Sequence, residues 1–228
     1  MTEHAPIRRR RGASSTRSRT PRSEVPSTIW AVGAKPLEPT AQWPTPLVSR
    51  AVTEFSHPDD SVLLLATPAK MANSRRPRFM TPATKASLAT IEGQRRHSES
   101  EPLTADRRTS RATATGDDGD VALVLASLLP PESSSLSVVD EIITRAAARL
   151  APGGVLVVLT RSAHTREGVL ADPTGYIVST GQAADLLFLQ HIVAVPITGD
   201  TVVAPAAEDA DRVYHAVAHT DITVLLRP

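Results

Sequence analysis

The sequence predicts an α/β fold: a three-layer sandwich around a mostly parallel sheet, with an antiparallel strand pair near its C-terminal end. Three observations predict it. Val121–Ala126 and Val155–Leu159 are short apolar runs of the kind that is buried on both faces, and they are separated by one helical period pattern. Two such strands joined by a helix form a βαβ unit, whose strands run parallel. Ser61–Thr67 (SVLLLAT) is a third apolar run of the same type. Leu187–Ile197 (LFLQHIVAVPI) and Asp221–Leu226 (DITVLL) follow late in the chain, where the short connections predict an antiparallel pair at one edge of the sheet.

In chain order, residues 1–26 are rich in Arg, Ser, Thr and Pro, with almost nothing to bury; they are expected to be a disordered basic tail. Residues 27–228 are then one domain. Residues 26–45 should be irregular chain pinned by Trp30 and Trp43, whose rings are costly to leave in water. Pro46 can open a helix, with Leu47, Val48, Ala51, Val52 and Phe55 as its apolar face. His57-Pro58-Asp59-Asp60 reads as a turn. Between 68 and 120, prolines and arginines interrupt every period. A helix near 83–88, a strand at Leu88–Ile91 and a loop over 93–119 are the expectation, with a flexible basic insert around 70–119.

Ser137 can cap the helix of the βαβ unit, and Ile142, Ile143, Ala146 and Leu150 give that helix its apolar stripe. Pro152-Gly153-Gly154 is expected to end it. Arg161–Asp172 reads as a polar loop, Thr174–Leu187 contains a helix, and Ala206–Ala216 has helical character.

Composition narrows the function classes. The absence of cysteine excludes disulfides, thiolate metal sites and cysteine nucleophiles, and fits a cytoplasmic protein. No apolar run has membrane-spanning length, and no secretory signal pattern is present. Net charge is +1 but unevenly placed. Residues 1–25 carry +5 and residues 70–115 carry +6, so the remainder is acidic at −10. Basic segments on an acidic body can hold a polyanion, with DNA as the expected partner. Arg8, Arg9, Arg10 and Arg11 in the tail, and Arg75, Arg76, Arg78, Arg95 and Arg96 in the insert, are the candidate phosphate contacts. His215 and His219 stand four apart, but no third ligand accompanies them, so no metal site is expected. Nucleotide-binding GxxxxGK[ST] and GxGxxG patterns are absent.

The order of these segments resembles class I S-adenosylmethionine-dependent methyltransferases. More narrowly, it resembles bacterial, actinobacterial-type DNA methylases acting on exocyclic amino groups of adenine or cytosine. The segments that carry the resemblance are WPTPLVSRAVTEFSHPDDSVLLL, DVALVLASLLPPES, RLAPGGVLVVLTRS, ADPTGYIVSTGQAADLLFLQHIVAV and VAHTDITVLL. The resemblance implies a Rossmann-like methyltransferase fold and, for an active enzyme, S-adenosylmethionine as cofactor. It implies a cofactor loop after the first strand, at Thr67 and Pro68, and an acid on the cofactor ribose, matched by Glu92. It also implies an amine-binding motif of a polar residue, Pro-Pro and an aromatic, matched by Ser127, Pro130 and Pro131.

Two departures bear on function. No glycine lies between Ala34 and Glu92, although the cofactor loop needs small residues where backbone approaches the ligand. Leu128 and Leu129 separate Ser127 from the prolines, and Glu132 stands where an aromatic would stack on a flipped base. The first expectation is therefore a methyltransferase-fold protein degenerate in cofactor binding, acting as a nucleic-acid-binding or regulatory protein. A divergent active DNA methyltransferase and a protein-interaction module that binds no nucleic acid are the alternatives.

Overall fold

The computed structural model describes residues 28–35, 37–38, 41–67, 80–103, 119–129, 136–164, 169–203 and 219–228. The elements in chain order are β1 (Ile29–Ala31), α1 (Thr45–Phe55), β2 (Ser61–Ala66), α2 (Pro82–Gly93), β3 (His97–Pro102), β4 (Val121–Ser127), α3 (Leu136–Arg149), β5 (Leu150–Thr160), β6 (Ala163–His164), β7 (Leu170–Ala171), α4 (Thr174–Ala183), β8 (Leu187–Val195), β9 (Ile197–Thr198), β10 (Thr201–Val202) and β11 (Thr220–Leu226). Seven of these strands form one sheet in the order β1-β8-β11-β5-β4-β2-β3. β6 with β7 and β9 with β10 form two small antiparallel ladders beside it.

The three-layer sandwich is present. β3, β2, β4 and β5 pair in parallel, and β11 runs antiparallel to both β5 and β8. The strands are hydrophobic on both faces, and successive side chains feed opposite layers. Val62 and Leu64 join Leu47, Val48, Ala51, Val52 and Ile91 in one cluster under α1 and α2. Leu63 and Leu65 join Val139, Ile142, Ile143 and Ala146 in the other, under α3 and α4.

Several local expectations are corrected. The strand expected at Leu88–Ile91 is the second half of α2. Thr81 accepts from the Thr84 amide and Pro82 opens the helix, a cap with proline at the first position. The second parallel strand comes later, at His97–Pro102, inside the expected loop. Part of the 26–45 stretch is also strand: β1 pairs in parallel with β8, outside the antiparallel pair, so that pair is not at the edge. Trp30 and Trp43 are buried as expected.

Ser137 lies inside α3, which begins at Leu136, rather than at its cap. The Pro152-Gly153-Gly154 turn does not end α3; it interrupts β5, where pairing to β4 jumps from Val121↔Leu150 to Leu123↔Val155. Gly153 adopts φ +81°, and a Cβ on Gly154 would lie 2.8 Å from the Ala151 carbonyl and 2.9 Å from that of Val121. This is a bulge that only glycine fits. The Arg161–Asp172 loop carries the short β6 and β7 strands. The helix expected at Ala206–Ala216 lies outside the described residues. Among the described residues no helix is long and apolar enough to cross a membrane.

Candidate functional site at the carboxyl edge of the sheet

Sheet order locates the site before any motif does. From β2 the chain steps outward to β3, then returns past β2 to β4, so the order reverses between β2 and β4. In open α/β sheets the crevice beyond the carboxyl ends of strands at such a reversal is where ligands bind. Here those ends carry Thr67, which follows β2, and Ser127, the last residue of β4. Both are buried, Thr67 at 4% exposure and Ser127 at 0%. The apolar runs that make the strands thus deliver two hydroxyls to one place.

The chain's own Gln42 spans that place. Its Nε2 donates to Thr67 Oγ1 at 2.5 Å and to the Thr67 carbonyl at 3.3 Å. Ser127 Oγ donates to the Gln42 main-chain carbonyl at 2.5 Å and accepts from the Leu129 amide at 3.2 Å. Gln42 is held there by its neighbours. Trp43 is buried in the α1-side cluster, and Pro44 precedes the first turn of α1, which has proline near its start. Among the described residues, Gln42 therefore lies across this crevice. It meets Thr67 through its side chain and Ser127 through its main-chain carbonyl, and the sequence supplies no glycine from 34 to 92 to make room. Pro68, Pro130 and Pro131 lie outside the described residues.

Glu92 is not where the ribose role requires it. It sits exposed in the last turn of α2, accepting from Ser98 Oγ at 2.8 Å, rather than at a strand end. The acid that does stand near the carboxyl end of the second parallel strand is Glu101, which sequence reasoning missed. It faces α3 and binds Arg145 at 3.0 Å and Arg149. Arg149 also reaches Glu99 at 2.5 Å and Asp120 at 3.6 Å, and Arg145 reaches Glu141 at 3.4 Å. Two acids at alternate strand positions opposite two arginines four apart on a helix are a readable pairing pattern, hidden here because HSESEP has no apolar signal.

A second polar cluster lies on the same edge, at the start of β11. Asp221, 4% exposed, has His191 Nε2 at 3.0 Å from Oδ1 and His219 Nε2 at 3.5 Å from Oδ2. Ser162 Oγ donates to Oδ2 at 3.3 Å. Burial pulls the Arg161 guanidinium below its ordinary pKa, while the Asp221 charge opposes that shift. His215 is outside the described residues, and among those described no group of three or more His, Asp or Glu is arranged to hold a metal ion.

Of the candidate phosphate contacts, Arg8, Arg9, Arg10, Arg11, Arg75, Arg76 and Arg78 are outside the described residues. Arg95 is exposed, with Asp59 3.8 Å away. Arg96 turns inward and donates to the Ser56 hydroxyl at 3.1 Å, the Ser56 carbonyl at 2.7 Å and the Gln94 carbonyl at 2.5 Å, so it ties α1 to β3.

No protein-family model matches the sequence, and no curated protein does. Among solved structures the chain is similar to a TehB-like S-adenosylmethionine-dependent methyltransferase from Corynebacterium glutamicum, at 7% identity over 79% of this chain and 87% of that one, with a TM-score of 0.39. It is similar to a geranyl diphosphate methyltransferase solved with S-adenosylmethionine, at 12% identity over 81% and 86%, with a TM-score of 0.42. It is also similar to a candidate DNA modification methylase from Thermus thermophilus, at 15% identity, 52% of this chain and a TM-score of 0.38. The match spans about half of that protein's length, 49%.

Proposed function

We propose that this chain is a methyltransferase-fold protein related to DNA amino-methylases that has given up cofactor binding and acts by binding nucleic acid. The observation that carries the reading is Gln42 joining Thr67 to Ser127 across the switch-point crevice. The charge distribution supports the nucleic-acid part: +5 in residues 1–25 and +6 in residues 70–115, on an otherwise acidic chain. Exposed Arg95 belongs to the second segment; inward-facing Arg96 is a structural residue and is dropped from the contact set.

Two measurements test the reading. Titration calorimetry of the full chain with S-adenosylmethionine should give no binding heat; a micromolar dissociation constant would overturn the loss of the cofactor site. Retention on duplex DNA should fall steeply as salt rises, because binding through Lys and Arg releases counterions from the phosphates. Salt-independent retention, or none, would overturn the nucleic-acid role and favour a protein-interaction module.

A second reading has one observation in its favour. Ser127 ends β4, where the resemblance expects the polar residue of the amine-binding motif. In that reading the chain is a divergent DNA methyltransferase using S-adenosylmethionine, and labelled methyl transfer to DNA of varied sequence would reveal it.

A further inference from the structure

We infer that the open edge of β8 joins a second copy of this chain, strand to antiparallel strand, about a two-fold axis at Leu189. The inference goes beyond the reading above, because it holds whether or not the chain binds nucleic acid.

The two edges of the sheet are finished differently. β3 ends one side, and its sequence, HSESEP, carries two glutamates and a proline, with Glu99 and Glu101 both engaged by Arg149. Charges and proline at an edge discourage another strand from adding to it. On the other side β1 covers only residues 193–195 of β8. Among the described residues no strand pairs with the outer side of residues 187–191. That stretch holds no Lys, Arg, Asp or Glu. Leu187, Phe188 and Leu189 are 52%, 41% and 47% exposed. Three consecutive large apolar side chains are rarely left in water unless something packs on them. The ladder to β11 slips at Leu189, where Gln190 faces Val224 and Phe188 faces Leu225. This bulge does not shield the edge, since Phe188 and Leu189 stay exposed beside it.

The chain's own preceding segment is a poor match for the gap. The Thr28 carbonyl accepts from the Val193 amide, so Thr28 turns its main chain toward β8. In a continued strand Pro26 would take the equivalent place, and proline has no N–H to give. A second copy is a better match. Residues 187–191 are centred on Leu189, so antiparallel pairing of two copies sets Leu189 opposite its equivalent and Phe188 opposite Gln190. No like charges meet within the stretch. The nearest charged residue in sequence, exposed Asp185, falls at the end of the other copy's β8, where that chain arrives from the seven arginines of residues 1–25. Acid therefore meets base at both ends of the contact. Main-chain hydrogen bonds and the apolar side chains withdrawn from water hold the pair together. A contact this short is smaller than a permanent interface, so the pairing is reversible with concentration.

Sedimentation velocity of the full chain tests this. It should show monomer passing to dimer as concentration rises; monomer alone up to about 1 mM, the weak limit of specific association, would overturn the proposal. Leu189→Glu and Leu189→Lys should each stay monomeric with an unchanged melting temperature, because like charges then face each other at the axis. An equimolar mixture of the two variants should recover the dimer. A dimer that survives either substitution forms elsewhere and would overturn the proposal, as would a mixture that stays monomeric. Where a variant folds poorly, hydrogen exchange of the wild type decides. The His191 amide, on the same side of the strand as that of Val193, should be protected in concentrated solution and exchange freely in dilute solution. Protection that does not change with concentration would overturn the pairing. None of these measurements contains S-adenosylmethionine or DNA, so failure here is distinct from failure of the proposed function.

Discussion

Arg149 shows how a charged side chain can be read only together with its partners. It is 7% exposed and collects Glu99, Glu101 and Asp120 from β3 and the approach to β4. Arg149→Met should lower unfolding free energy by about 3 kcal/mol, because it strands carboxylates that were placed for a cation. Urea denaturation measures it, and a loss below about 1 kcal/mol would mean that the group is merely a surface network. Tyr176 behaves differently. Its hydroxyl donates to Asp140 Oδ1 at 2.8 Å, and that hydrogen bond, foremost, raises its pKa above the ordinary tyrosine value. The folded state thus favours the neutral phenol. Its contribution is fully present below the unfolded pKa of about 10 and is lost as pH rises through the higher folded value. Absorbance at alkaline pH should show a late-ionising tyrosine that disappears in Tyr176→Phe. Gln42, by contrast, could not have been singled out from the sequence. It belongs to no motif, and only the need to bury Trp43 carries it to the sheet.

Elements were legible in proportion to how completely they are buried. β2, β4, β11 and residues 155–159 of β5 are largely apolar because both of their faces are covered, and each was readable to within a residue or two, whereas residues 150–154 of β5 read as helix end and turn. β3 was not, because it ends the sheet and carries serines and acids; only its register against β2 reveals it. The Leu88–Ile91 cluster misled because Thr84, Ser87 and Ile91 are the buried face of a helix, a period hidden by two polar members. The Gly-Gly turn was recognised as needing glycine but placed at a helix end instead of a bulge. Gly154→Ala should therefore destabilise by about 1–3 kcal/mol, since the new methyl meets two carbonyls that cannot move independently. Thermal melting measures it, and a wild-type melting temperature would show that the bulge relaxes. β1 depends on one anchor. Trp30→Ala should cost about 3–5 kcal/mol, because the ring is 2% exposed and no neighbour can close the hole.

At the scale of the whole molecule, sheet order set the candidate site where motifs did not. The switch point lies between β2 and β4 whatever residues line it, and the resemblance had named Thr67 and Ser127 at its two sides. What the sequence could not disclose is that a third, distant segment meets them there. The molecule-level prediction is a DNA affinity whose logarithm falls linearly with the logarithm of salt, at a slope of about 0.9 per phosphate neutralised. Deleting residues 1–25 should reduce that slope by several units without altering the melting temperature, because those residues carry seven arginines and almost nothing to bury. An unchanged slope would remove the tail from the interface.

β11 lies between β5 and β8, and among the described residues β8 is the only sheet neighbour of β1. The β1-β8 pair is consequently joined to the parallel half of the sheet through β11. The β3-β2-β4-β5 half can form first, while β1 and β8 dock onto it once β11 is in place. A chain truncated before residue 220 should thus leave Trp30 more exposed to quencher than one that includes β11, and equal quenching would show that β8 suffices to seat β1.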